Sequence, residues 1–429
     1  MAGDVDIVAG WLIDGTGSSA ERLVRIRVVS GLITGIGRDQ LERQDPDTAA
    51  VDLSDCTVLP ALTDAHVHLC LPGAAPSGRG NGGRRRAFDQ AQAEIAERLR
   101  LHSAHGVLSV RDAGDPRSQA LRYKRACLSS VGTYLHAPAA AWHASGRYGA
   151  IIGRPPPPGL TLAESISGCA SQGAAHVKII QSGPNSLSRY GEETVPQFSP
   201  EALERAVKAA RRLGLRTMVH ANGCLPVRIA IEAGCDSIEH GYFMGKDNLG
   251  KMADRQIVWV PTAVPMQACS RRADCTESER DTARKTLDRQ LEQIAQARAL
   301  GVPIALGTDS GCPGVPHGEA AWGELRLFLD AGLPREEAVR CATLAGACLV
   351  GLETELGSLR PGMPATFVAV KGGPAGLQRA GVLERLEGIY VRGEKNGPRF
   401  DPGARLAATA AHRAEESSPQ IRAGRGFEK

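Results

Sequence analysis

Aromatic residues make up only 4% of the chain, and no stretch of about 18 consecutive apolar residues occurs in it. The second absence leaves no candidate for a membrane-spanning helix. Charge of one sign is also missing. The 51 Lys and Arg nearly balance the 47 Asp and Glu, leaving a formal +4. That excess is too small to mark a partner of nucleic acid. The opening residues, MAGDVDIVAGWLIDGTG, carry acids and no basic segment before an apolar one, so they do not read as a secretory leader. There is no CxxC pair among the 11 cysteines. An odd number without paired spacing reads as reduced, mostly buried thiols of a cytosolic protein.

Glycine, by contrast, is plentiful, with 50 residues in 429. That suits many short loops around a β/α scaffold. The first segment reads as strands: VDIVAGWLIDGTG, LVRIRVVSGLITGIG and VDLSDCTVLP run apolar or alternate between Gly turns. From about residue 57 short β-branched runs alternate with longer segments of helical period. The strand candidates are TVLPALTDAHVHL, GVLSVRDAG, TYLHAPAAAW, HVKIIQSG, RTMVHANG, SIEHG, IVWVPTAVP and VPIALGTDSG. Eight strand-then-helix units predict an α/β chain folded as a (β/α)8 TIM barrel. Strand texture returns in ELGSLRPGMPATFVAV and LEGIYVRG. We therefore expect the barrel over 57–354 and a small composite β-sandwich formed by both chain ends, 1–56 and 355–400. The polar tail 401–429 lacks large apolar residues and is expected to be flexible.

Active residues of such a barrel belong at the C-terminal ends of its strands. Strand one ends in His66 and His68, strand four carries Lys178, strand five ends in His220, strand six in His240 and strand eight in Asp309. Side chains two apart on a strand face the same side, so His66 and His68 can grip one ion together. Neutral imidazole is a standard ligand of zinc and other first-row metals. A lone HxH is more often an accident of packing. The same residue types at five of eight strand ends make a metal site the better reading.

These strings, with DAHVHL, DSIEHG, GTDSG and GSLRPGMPATFVAV, resemble the amidohydrolase superfamily over about residues 10–396. The resemblance implies that His66 and His68 bind a buried metal and that His220 and His240 bind a second, more exposed one. Lys178 matches a lysine that is carbamylated and bridges two divalent ions, zinc or alternatively Mn²⁺, Fe²⁺ or Co²⁺. Asp309 matches an aspartate that ligates the first metal and shuttles protons. A lysine ammonium beside two cations is repelled, and carbamylation turns it into an anionic oxygen donor. A water bridging two metals becomes hydroxide near neutral pH.

Several residues remain open at this level. Asp64 is either an orienter of an imidazole or a strand-end turn residue. Arg111 and Asp112 are expected to pair with one another. Tyr148 stands where relatives carry a substrate-contacting histidine, or else His143 fills that place. A phenol can donate a hydrogen bond to a carbonyl or carboxylate. Arg147 and Arg154 are candidates for a carboxylate, and His317 for the pocket lining. Arg79, Arg84, Arg85 and Arg86 form a basic loop that is either a lid or a solvated surface. The expected activity is hydrolysis of a C–N amide bond, through a metal-bridging hydroxide, in a small carboxylate-bearing molecule such as an N-acyl amino acid or dipeptide. The rivals are a mononuclear cyclic amidohydrolase or deaminase, a lactone or phosphotriester hydrolase, and a non-catalytic scaffold. A small-molecule substrate and a homo-oligomer are expected; nucleic acid and membrane are not.

Overall fold

The structure is a computed structural model that describes residues 4–38, 48–73, 88–127 and 132–396. The basic loop with Arg79, Arg84, Arg85 and Arg86 and the tail 401–429 lie outside the described residues. No helix among the described residues is long and apolar enough to cross a membrane.

Four strands open the chain: β1 (Val5–Leu12), β2 (Glu21–Val29), β3 (Leu32–Gly37) and β4 (Ala49–Pro60). The inner strands follow: β5 (Leu62–Val67), β6 (Val107–Asp112), β7 (Tyr134–His136), β8 (Ala141–Trp142), β9 (His176–Ile180), β10 (Arg216–Ala221), β11 (Ser237–His240) and β12 (Val258–Val260). Three strands close the chain: β13 (Phe367–Lys371), β14 (Leu386–Val391) and β15 (Glu394–Asn396). The outer strands form one seven-stranded sheet in the order β15-β14-β13-β4-β1-β2-β3. Both chain ends contribute, as expected. The sheet folds back on itself, because Leu32 at its far edge bridges Pro364, just ahead of β13. Its inner face packs as a core of its own, including Ile7, Ile26, Val58 and Phe367.

The inner strands are parallel and fall into the ladders β12-β11-β10-β9-β8 and β5-β6-β7. Two joins make them a TIM-barrel-like ring. The strand-three segment, expected as one run, is broken: β7 pairs with β6 and β8 pairs with β9. The strand-eight segment forms no ladder. It bridges Trp259 through Ile304 and Val67 through Ser310. Backbone bonds from Ala65 N to Leu306 O and from Asp309 N to His66 O, both 2.8 Å, seat it beside β5. It lies so close that a Cβ on Gly307 would stand 2.4 Å from Val260 Cγ1 and 2.8 Å from His66 Cβ. Only glycine admits that approach.

Strands β5, β6, β9 and β11 are buried at every residue, as parallel strands covered on both faces must be. The covering helices carry ordinary start and stop signals. Helix Glu277–Leu300 begins with a capping box between Thr276 and Glu279 and ends at Gly301 with φ +77°. Helix Pro200–Arg212 has Ser199 as its cap and a proline in its first turn.

Candidate metal centre

His66 is the last residue but one of β5, and His68 lies just beyond the strand. The His66 Nδ1 donates to Glu239 Oε2 at 2.8 Å, and the His68 Nδ1 contacts the Gly114 carbonyl at 3.3 Å. A carbonyl or carboxylate can only accept, so these partners fix the tautomers and leave both Nε2 atoms with lone pairs. Those atoms face Asp309 Oδ1 at 3.5 and 3.3 Å. Three acceptors thus converge with no hydrogen between them. Both His66 Nε2 and Asp309 Oδ1 are buried without a hydrogen-bond partner. A cation is what such an arrangement fits, and the ligand atoms of the three residues lie within 4.8 Å of one another.

His240 and His220 extend this group. The ring centroids of His66 and His240 are 4.8 Å apart, and those of His240 and His220 are 4.6 Å apart. The His240 Nδ1 is 2.7 Å from Thr262 Oγ1, whose own proton goes to Pro261 O at 2.8 Å. The ring must therefore donate, and its Nε2 keeps the lone pair. The His220 Nε2 donates to Gly183 O at 2.9 Å, leaving Nδ1 as the possible ligand. Lys178, on β9, is fully buried and its Nζ has no hydrogen-bond partner. His66, His68, Asp309, His240 and His220 thus stand together, and Lys178 is near enough for its charge to act on His66 and His220. Two of the strand-end residues have left-handed backbones, His240 with φ +66° and Asp309 with φ +57°, as does Thr262 with φ +47°. Non-glycine residues rarely adopt this region, and such strain gathers at functional sites.

Glu239 is a residue that the sequence reading missed. The left-handed turn at His240 lets two consecutive side chains face inward, which strand alternation would forbid. Glu239 accepts from His66 Nδ1, from Arg111 Nη2 at 2.8 Å and from Ser237 Oγ at 2.6 Å. Arg111 therefore pairs with Glu239 and not with Asp112, which corrects the expectation. Asp112 instead accepts the backbone N–H groups of Leu69 and Gly114, both at 2.8 Å. Asp64 does not touch an imidazole. It accepts the backbone N–H of His66 and both the N–H and hydroxyl of Thr308, tying β5 to the strand-eight segment.

The candidate substrate residues separate. Tyr148 lies over the site, its ring centroid 5.6 Å from that of His220. His143 is buried, with Nδ1 2.9 Å from the Ala144 carbonyl and Nε2 unpartnered. By alternation from Ala141, it faces the same side as Lys178. The Arg154 guanidinium stacks 5.5 Å over Trp142, which packs in the core on the other strand face. His317 is 2% exposed and hydrogen-bonds Leu71 O, Ser310 Oγ and His102. It also lines an open cavity with Pro72, Gly73, Arg98 and Leu101. His176 donates to Asp112 O inside the barrel.

Burial dominates the ionisation of the site. It lowers His66, His220 and His240, and the Lys178 charge lowers His66 and His220 further. Burial also brings Lys178 down to about 8, against the attraction of Glu239 and Asp309. For Asp309 burial alone would raise the carboxyl, but the surrounding His68, His66 and His240 rings outweigh it and hold it well below the usual range. These directions compete, since rings kept neutral attract a carboxylate less. Neutral rings and an ionised Asp309 are the state that the hydrogen-bond partners favour.

The same shifts set the acid stability of the metal-free chain. Burial lowers seven rings: His66, His102, His136, His176, His220, His240 and His317. Their unfolded value is 6.5 and the folded values of His136, His220 and His317 are about 4. Below 6.5 the unfolded chain binds more protons, so stability falls as pH drops through that window. Burial raises three carboxyls, Asp112 to about 6, Asp64 to about 7 and Glu324 to about 8. Their folded forms bind more protons, so their contribution falls as pH rises toward 8. Rings outnumber carboxyls, so the acid side is the steeper one, at about 1.4 kcal/mol per pH unit for each net proton. Urea unfolding of metal-free protein should show greatest stability near pH 6.5 to 7. A flat profile from pH 5 to 8 would contradict this.

Residues 57–395 match the profile of the amidohydrolase family. Ochratoxinase of Aspergillus niger is 30% identical over 207 residues, 47% of this chain and 42% of that protein. The chain thus spans less than half the length of that relative. Imidazolonepropionase of Porphyromonas gingivalis is 29% identical over 178 residues, 41% of this chain and 38% of that protein. Among solved structures, a Xaa-Pro dipeptidase with methionine bound in its active site superposes with TM-score 0.76 at 26% identity, over 92% of this chain and all of that one. With the profile running through most of the ring and the returning strands, the chain belongs to the amidohydrolase family.

Proposed function

We propose that the chain hydrolyses an amide bond in a small carboxylate-bearing molecule, such as an N-acyl amino acid or a dipeptide. The observation that carries this reading is the convergence of acceptor atoms from His66, His68, His240 and Asp309 beside the unpartnered Nζ of buried Lys178. His66, His68 and Asp309 would hold one divalent ion, and His220 and His240 a second. Lys178, as its carbamate, would serve both. Bound divalent ions lower the pKa of water to about 7 and polarise a carbonyl. Asp309 is the more accessible of these donors, with 13% of its side chain exposed against 0% for His66. It takes the proton of the attacking water at its carboxylate and passes it to the departing nitrogen. Tyr148 donates its hydroxyl to the substrate carbonyl or carboxylate, a phenol being protonated near neutral pH. Glu239 and Thr262 hold the His66 and His240 rings with Nε2 turned inward. The name of the Xaa-Pro dipeptidase, and the amino acid in its active site, support an amino-acid amide as substrate.

A second reading rests on the compactness of the His66, His68 and Asp309 group and on the likeness to imidazolonepropionase. It is a mononuclear enzyme acting on a heterocycle. Elemental analysis of protein purified with bicarbonate separates the two. About two ions per chain, falling with Lys178→Ala along with a loss of about a hundredfold or more in kcat, is the expected result. One ion per chain, with turnover surviving Lys178→Ala, would transfer the assignment to the mononuclear reading. The melting temperature of the variant shows whether it is folded.

A further inference from the structure

Three loops and a short helix that follow the C-terminal ends of β8, β9, β11 and β12 bring apolar side chains to the same end of the ring as the metal donors. They carry Tyr148, Leu187 with Tyr190, Phe243 and Met266 respectively. Phe243 and Leu187 pack against the buried pair Tyr242 and Met266 in one cluster. Tyr190 meets Phe243 edge-on, with centroids 5.2 Å apart at 88°. The cluster meets the donors through Tyr242, whose ring lies parallel to that of His240 with centroids 6.3 Å apart, while Tyr148 stands against His220.

Core packing does not account for these rings. Tyr148 and Tyr190 are 37% and 51% exposed, in a chain that has only 7 Phe and 6 Tyr. Scattered exposed apolar residues need no explanation, but a contiguous apolar wall beside a polar site does. Phe243 adds a second sign. Its φ is +57°, a region that bulky residues avoid. A ring held there is held against backbone preference. Met266 is fixed from the other side, its Sδ accepting from Asn185 Nδ2 at 3.5 Å. Edge-on and offset contacts between rings are the geometry that aromatic groups favour, and they leave ring faces open to a third ring.

We infer that this wall is a specificity subsite, and that the substrate amide carries a planar aromatic group seated against Tyr190 and Phe243. The inference deepens the proposed amide hydrolysis and rests on it for the reacting half of the substrate. Tyr242 joins the His240 ring to the cluster, so a substrate whose amide lies at the metal donors reaches the wall along that side.

Isothermal titration of the metal-loaded protein with N-(2-naphthoyl)glycine and with N-acetylglycine tests the wall without requiring turnover. The aromatic compound should bind about tenfold or more tightly. Tyr190→Ser should lower that ratio about fivefold, and Tyr190→Phe should restore it, because the ring and not the hydroxyl makes the contact. Equal affinities, no measurable binding of the naphthoyl compound, or a ratio that Tyr190→Ser leaves unchanged would each overturn the inference. Hydrolysis of the same two compounds is then followed separately. Selective binding without hydrolysis leaves the wall standing and removes amide hydrolysis. Hydrolysis of both without selectivity does the reverse.

Discussion

Asp309→Asn is expected to lower kcat by about a thousandfold, the scale on which a positioned general base and acid contributes, while leaving the metal-free fold at least as stable as before. The second half follows from the orientation of the donors. In the unsubstituted chain Asp309 Oδ1 faces the lone pairs of His66 and His68 at 3.5 and 3.3 Å, and an acceptor opposed to two acceptors is unfavourable without a cation. An asparagine of the same shape can turn its NH₂ toward them and donate. The melting temperature of the metal-free variant should therefore equal or exceed that of the parent, whereas the rise on adding Zn²⁺ should shrink. Such an exchange of stability for function is what a site built for a ligand displays. Full turnover in the variant would sink the proton-transfer role. A variant less stable without metal would sink the account of the opposed lone pairs.

The donors were legible in the sequence because strand alternation governs them. HxH puts two rings on one face, and the ends of short apolar runs mark where a barrel opens. The same alternation held a signal that the reading overlooked. Neighbours on a strand point to opposite faces, so Arg111 and Asp112 had no reason to meet, and Arg111 shares its face with Ser109. Glu239 was hidden for a different reason. Alternation from His240 would turn it outward, and only the left-handed φ of +66° at His240 places both inside. No periodicity reports a single backbone angle. The strand-three and strand-eight segments were legible as elements but not in detail. Two- and three-residue ladders and isolated bridges hold them, so their register depends on neighbours distant in sequence. The aromatic wall lies in loops, where position depends on the scaffold beneath and not on any local pattern.

The second large effect is on stability. Glu239→Gln is expected to cost about 3 to 5 kcal/mol, the range found when one member of a buried ion pair is removed. Glu239 and Arg111 are 0% and 2% exposed and meet at 2.8 Å. Burial lowers the Arg111 pKa and Glu239 is its main compensation. A neutral amide leaves that guanidinium charged and enclosed. Two other donors of Arg111 go to Ala65 O at 2.7 Å and Ser237 Oγ at 3.1 Å, neither of which carries charge. Glu239 also orients His66, so metal affinity should fall by about ten- to a hundredfold, as is usual when the group behind a ligand is altered. The two roles separate in the double variant Arg111→Met with Glu239→Gln. Removing both charges should return most of the lost stability, because a well-packed apolar side chain can replace a buried pair at little cost. It should not return the metal affinity, because His66 still lacks its carboxylate. Urea unfolding of the metal-free proteins and a Zn²⁺ titration read the two quantities independently. If the double variant recovered affinity together with stability, Glu239 would act on the metal only through the fold, and its role as the orienter of His66 would be lost.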